Sequence, residues 1–171
     1  MKVQLAAGGR KNLISVAAIV LIALGVWMGW TRPLGEVLRA AEMDSPVDAT
    51  LIRSIPVPQA DGSVAYESQV IRLQADPGSE AALALAGAME EVRVRGRLRL
   101  PFERVTVYAT GQDSLSVTFS SEGKTRDLVL LSGSGTLYDM GVSGRSYAVE
   151  AGAFETLARV VEEYGLPQAE T

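Results

Sequence analysis

The 171-residue chain contains no cysteine and no histidine. Those two absences exclude disulfides, thiolate nucleophiles, zinc sites of the Cys/His kind, haem ligation by histidine and every His-based triad or general base. Lysine is nearly missing as well. Only Lys124 lies outside the N-terminal tail, so a Ser-Lys pair would have to use a residue in an expected turn. Aromatic residues make up 6% of the chain, too few for an aromatic-lined sugar cleft, which disfavours a glycosidase built on two distant carboxylates. The patterns G-x-x-x-x-G-K-[ST] and G-x-G-x-x-G and the EF-hand loop do not occur. Gly133-Ser-Gly135 and Gly141-Val-Ser-Gly144 lack the G-x-S-x-G spacing, and Glu90–Glu91 and Glu162–Glu163 read as solvated helix surface. No catalytic residue, cofactor or metal ligand is therefore expected, and the composition fits an enzyme poorly.

What is present begins with an apolar run. From Leu13 to Trp30, 15 of 18 residues are apolar and none is charged. As a helix the run would be about 27 Å long at about 1.5 Å per residue, close to the roughly 30 Å of a hydrocarbon core. The run ends in Trp-Met-Gly-Trp-Thr-Arg-Pro, too bulky for a signal-peptidase site. Residues 13–31 are thus expected to be a transmembrane anchor and 1–12 a cytoplasmic tail. Lys2, Arg10 and Lys11 set that direction, and Trp27 and Trp30 suit the outer headgroup layer. The C-terminal part would then lie outside the cell membrane. Gly25 and Gly29 form a G-x-x-x-G pair that would let two such helices approach closely and make a homodimer; the plainer reading is that glycine is common in membrane helices.

Beyond the run the pattern is that of one small α+β domain with an antiparallel sheet and two helices. Residues 32–49, with two prolines and mixed charges, read as a linker, 50–166 as the domain and 167–171 as a tail. Leu51–Val57 and Val64–Leu73 read as a strand pair around a Pro-Gln-Ala-Asp-Gly turn. Asp76 or Ser79 can cap an alanine-rich helix ending near Glu91, with Leu85, Met89 and Val92 on one face. Strands follow at 104–109, Leu115–Phe119, Thr125–Leu131, Gly135–Met140 and Arg145–Val149, with Ser121–Lys124 as a hairpin turn. Phe154, Leu157, Ala158, Val161 and Tyr164 recur at helical spacing before Gly165 and Pro167 end the helix.

This order resembles small outward-facing domains of unknown function in Gram-positive bacteria that follow a membrane anchor or lipoprotein signal. The residues carrying it are Val70–Leu73, Leu83–Met89, Leu115–Phe119 with Gly123, Leu128–Leu131, Tyr147 and Leu157–Val161, within residues 66–164. The resemblance implies a fold and a location, and no activity.

One stretch stands apart. In Val92-Arg-Val-Arg-Gly-Arg-Leu-Arg-Leu100 every odd position is arginine. As a strand it would set Arg93, Arg95, Arg97 and Arg99 on one face, able to grip phosphate or carboxylate groups bidentately. As a continued helix it would instead pair Glu91 with Arg95. Residues 33–171 carry 12 basic and 20 acidic side chains, a net charge of −8, which excludes non-specific nucleic-acid binding. Two roles are expected to compete. One is a non-enzymatic accessory, sensing or protein-interaction module of the bacterial envelope, its partner another envelope protein. The other is a binder of an anionic wall polymer or lipid headgroup through the arginines.

Overall fold

The computed structural model describes residues 15–16, 18–22, 25–26, 29–97, 109–141 and 145–168. Its centre is one antiparallel sheet of nine strands: β1 (Arg32–Pro33), β2 (Val47–Pro58), β3 (Val64–Ala75), β4 (Arg93–Arg97), β5 (Ser114–Ser121), β6 (Lys124–Leu131), β7 (Thr136–Asp139), β8 (Arg145–Val149) and β9 (Leu166–Pro167). Across the sheet they run β1-β4-β8-β7-β6-β5-β2-β3-β9. From Arg32 onward, the helices α1 (Leu34–Leu38), α2 (Glu80–Glu91) and α3 (Ala153–Tyr164) accompany the sheet, with a 3-10 turn at Ala40–Glu42.

Local chemistry accounts for the regular pieces. The β2–β3 pair forms around the expected turn, with Gln59 N–H donating to Ser63 O and Gly62 at φ +83°. Between β5 and β6 the two turn residues are Glu122 at φ +50° and Gly123 at φ +67°, the double positive φ that matches strand twist in a two-residue hairpin. Ser79 caps α2 by accepting from Ala82 N–H at 3.3 Å. Along the strands alternate residues point one way: Val47, Ala49 and Leu51; Leu115, Val117 and Phe119; Leu128 and Leu130. They join Leu85 and Met89 of α2 with Phe154, Leu157 and Val161 of α3 in one core. The opposite face is shielded at Ser114, Val129, Leu131, Thr136 and Ser146.

Three expectations are corrected. The two-helix α+β domain starting near residue 50 is replaced by a continuous nine-stranded sheet that begins at Arg32. The stretch 32–49, read as a linker, is folded into that unit. Leu34, Leu38, Ala40, Val47 and Ala49 are buried, and Leu34 N–H donates to Val92 O. Its apolar residues are spaced for one helical turn and then for a strand, too short a stretch of either period to show among prolines and charges. The transmembrane helix is the third correction: among the described residues no helix is long and apolar enough to cross a membrane. Helical backbone is described at 15–16, 18–22, 25–26 and 29, with Val16, Ile19, Leu21 and Ile22 exposed. The cytoplasmic tail 1–12 and nearly all of the expected 104–109 strand lie outside the described residues.

Candidate functional site

β2 and β3 pair along all twelve residues of each, with no break in register. β5, the neighbour of β2, covers only Asp48–Ile52. Among the described residues no strand but β3 pairs with β2 past Ile52, so the pair continues as a two-stranded arm formed by residues 53–58 and 64–69, about 20 Å long at about 3.3 Å per residue. On it Ile55, Val64 and Tyr66 remain 45%, 52% and 47% exposed.

An isolated hairpin is marginal in water, so the base of the arm must hold it. Arg53 reaches Asp113 at 2.8 Å, Glu155 at 2.9 Å and Glu162 at 2.8 Å, and its guanidinium lies 5.4 Å from the centre of the Phe154 ring. Its bonds to Glu155, and then to Asp113 and Glu162, raise its pKa above the usual guanidinium value against partial desolvation. Ser54 N–H donates to Asp113 Oδ1 at 2.8 Å and Ser54 Oγ donates to Gln112 O at 3.0 Å. The Tyr66 ring lies on Gly111, where a Cβ would come within 2.9 Å of it.

The two edges of the arm differ. Ser54 N–H points away from β3 toward Asp113, so Pro56 and Pro58, two and four residues on, face the same way. Proline has no N–H. The β2 edge of the arm thus offers no free donor. On β3, Val70 O points outward and accepts from Gln168 N–H at 2.8 Å, so Ser68, Tyr66 and Val64 point outward too. β9 pairs only with Ile71 and Arg72. The N–H and C=O groups of Val64, Tyr66 and Ser68 consequently lack a partner among the described residues. The segment Val64–Val70 carries one charge, Glu67, and neither lysine nor proline, the residues that usually blunt an exposed edge.

The arginine row lies on β4 over Arg93–Arg97, the strand alternative rather than the helical one. Val92 and Val94 are buried, Arg93 and Arg95 are exposed, and Arg97 is half-buried. Arg99 lies outside the described residues. β4 is paired on both sides, by β8 and by two residues of β1, and Arg93 N–H donates to Glu150 at 2.9 Å. At Gly25 and Gly29 a Cβ would meet nothing within 4 Å, so no described part of the chain packs on that pair.

A polar cluster that spacing did not predict sits on the core face of β6–β8. Asp139 is fully buried and accepts from Arg126 Nη1 at 3.0 Å and from Gly141 N–H at 3.2 Å. Arg126 Nε and the Tyr147 hydroxyl are buried without a partner among the described residues. Burial first, and then the Asp139 charge, push the Tyr147 pKa up, while nearby Arg145 pulls it down. Alternation held the signal, because Asp139 follows Leu137 on the inward side of β7. Among the described residues no group of acidic side chains is placed to hold a metal ion, and the buried pair faces core rather than a cleft. The arm was likewise legible only in part: its strands and turn show in the sequence, its projection does not. No protein-family model, curated protein or solved structure matches the chain, so the reading of its role rests on its own residues.

Proposed function

We propose that the domain is a non-enzymatic protein-interaction module of the cell envelope that takes its partner on the β2–β3 arm. The observation carrying this reading is the undefended β3 edge beside exposed Ile55, Val64 and Tyr66. Main-chain groups on such an edge supply affinity for an added strand, and alternate side chains supply selectivity.

The test is a photo-crosslinking residue in place of Tyr66, activated in intact cells, with the attached protein then identified. Adducts are expected at Tyr66 and absent when the same residue replaces Leu83, which is exposed on α2. An equal yield at both sites, or none at Tyr66, refutes the reading.

A second reading is supported by the strand at Arg93–Arg97, which leaves Arg93 and Arg95 exposed on one face. Here the ligand is an anionic polymer or lipid headgroup. Replacing Arg93 and Arg95 with Ser should change stability by no more than about 0.5 kcal/mol while removing low-salt binding to anionic vesicles. Wild-type binding should itself weaken toward physiological salt as the Debye length shortens to about 8 Å. Wild type that ignores such vesicles at low salt removes this reading.

A further inference from the structure

We infer that the strand added to the β3 edge is the same edge of a second copy of this chain, paired antiparallel about a two-fold axis at Tyr66. This rests on the arm being a protein-binding site and names its occupant.

Register selects the axis. A two-fold antiparallel pair joins residues whose numbers have a constant sum, and hydrogen bonds form only where outward-facing groups meet outward-facing groups. On β3 those groups belong to Val64, Tyr66 and Ser68. An axis at Ser68 would pair Val64 with Arg72, which β9 already occupies, and would need Val70 O, which Gln168 already uses. An axis at Glu67 would set two like charges directly opposite, which is destabilising. An axis at Ala65 would carry Ser68 against Gly62 in the turn. An axis at Tyr66 keeps all three outward-facing residues clear of these faults, and only beyond them does the turn residue Gly62 come opposite Val70. It pairs Tyr66 with Tyr66 and Val64 with Ser68, satisfying the outward N–H and C=O groups of these three residues, and sets Ala65 beside Glu67 without opposing charges.

Side chains agree with the main chain. Direct partners in an antiparallel pair share a face, so Pro56, Pro58, Val64 and Tyr66 lie together on the side of the arm away from α2 and α3. Two-fold pairing joins the two apolar faces into one, with an aromatic cross-strand pair at its centre. The β2 edge cannot substitute, because Pro56 and Pro58 remove its donors. One ribbon thus carries a blocked edge and an open, self-complementary one.

The chain has no cysteine, so a single introduced thiol reports the contact in the full-length protein. Hydrogen-bonded antiparallel partners hold their Cα atoms about 5.5 Å apart, inside the roughly 4.4–6.8 Å that a disulfide spans. Under mild oxidation Tyr66→Cys should shift to twice the chain mass. A mixture of Val64→Cys and Ser68→Cys chains should give more dimer than either variant alone. Leu83→Cys, exposed on α2, should stay monomeric.

Absence of the Tyr66→Cys dimer, or equal dimer from Leu83→Cys, overturns the inference. Photo-adducts at Tyr66 with other proteins, but no Tyr66→Cys dimer, overturn the second copy alone and leave the arm as a binding site. No photo-adduct of any kind, together with no disulfide dimer, removes both.

Discussion

Replacing Asp139 with Ala should cost about 3–5 kcal/mol of folding stability, the loss seen when one partner of a buried ion pair is removed. The carboxylate has no exposure, and it is the partner that holds Arg126 Nη1 at 3.0 Å. Without it a guanidinium stays buried with its Nε already unpartnered, and Gly141 N–H loses its acceptor. Urea unfolding followed by circular dichroism measures the loss as a lower midpoint at unchanged slope. Pairing Asp139→Leu with Arg126→Met should restore most of the stability, since apolar replacement of a whole buried pair is often neutral or better. A single variant within about 1 kcal/mol of wild type would mean that the pair is not desolvated in solution.

Leu157→Ala should cost about 2–5 kcal/mol, from lost transfer energy and the cavity left behind. Leu157 is 1% exposed on the inner face of α3, between Phe154 and Val161 in the same core. The effect should reach the arm, because Glu155 and Glu162 on this helix hold Arg53. Loosening α3 therefore also loosens the anchor of β2 at the point where it leaves the sheet. The global cost appears in the unfolding midpoint; the local one appears as faster amide exchange in residues 53–58 and 64–69 than at Leu115–Phe119. A midpoint shift without that local difference would separate α3 packing from arm stability.

Regular patterns were the legible part of this protein. The helices ending at Glu91 and Tyr164, the β2–β3 turn and the β5–β6 hairpin follow from period, caps and turn residues within a few positions of each other. Leu85, Met89 and Val92 face the core as their spacing predicts. Where the period is short, the reading failed: residues 32–49 show one turn of helix and the start of a strand, and both disappear among prolines and charges. For the apolar stretch 13–31, no helix among the described residues is long and apolar enough to cross a membrane. For the candidate site, alternation across 92–97 marked Arg93 and Arg95 as neighbours on one face, and β4 places them so.

What the sequence by itself determined is local: which residues alternate, where a chain can turn, which helix face is apolar, and which chemistries are missing with Cys and His. These depend on neighbours a few residues apart, and dihedral preferences act at that range. The tertiary structure alone decided that β5 stops at Ile52 on β2, so that the hairpin runs on as an arm. It decided that Gln168 returns to Val70 and thereby orients the open edge, and that Arg126 meets Asp139 inside the core. Alternation tells which side chains share a face of a strand, but not which strand lies beside it. Pairing between distant segments is settled by how the whole core closes, an energy shared among residues far apart in the chain.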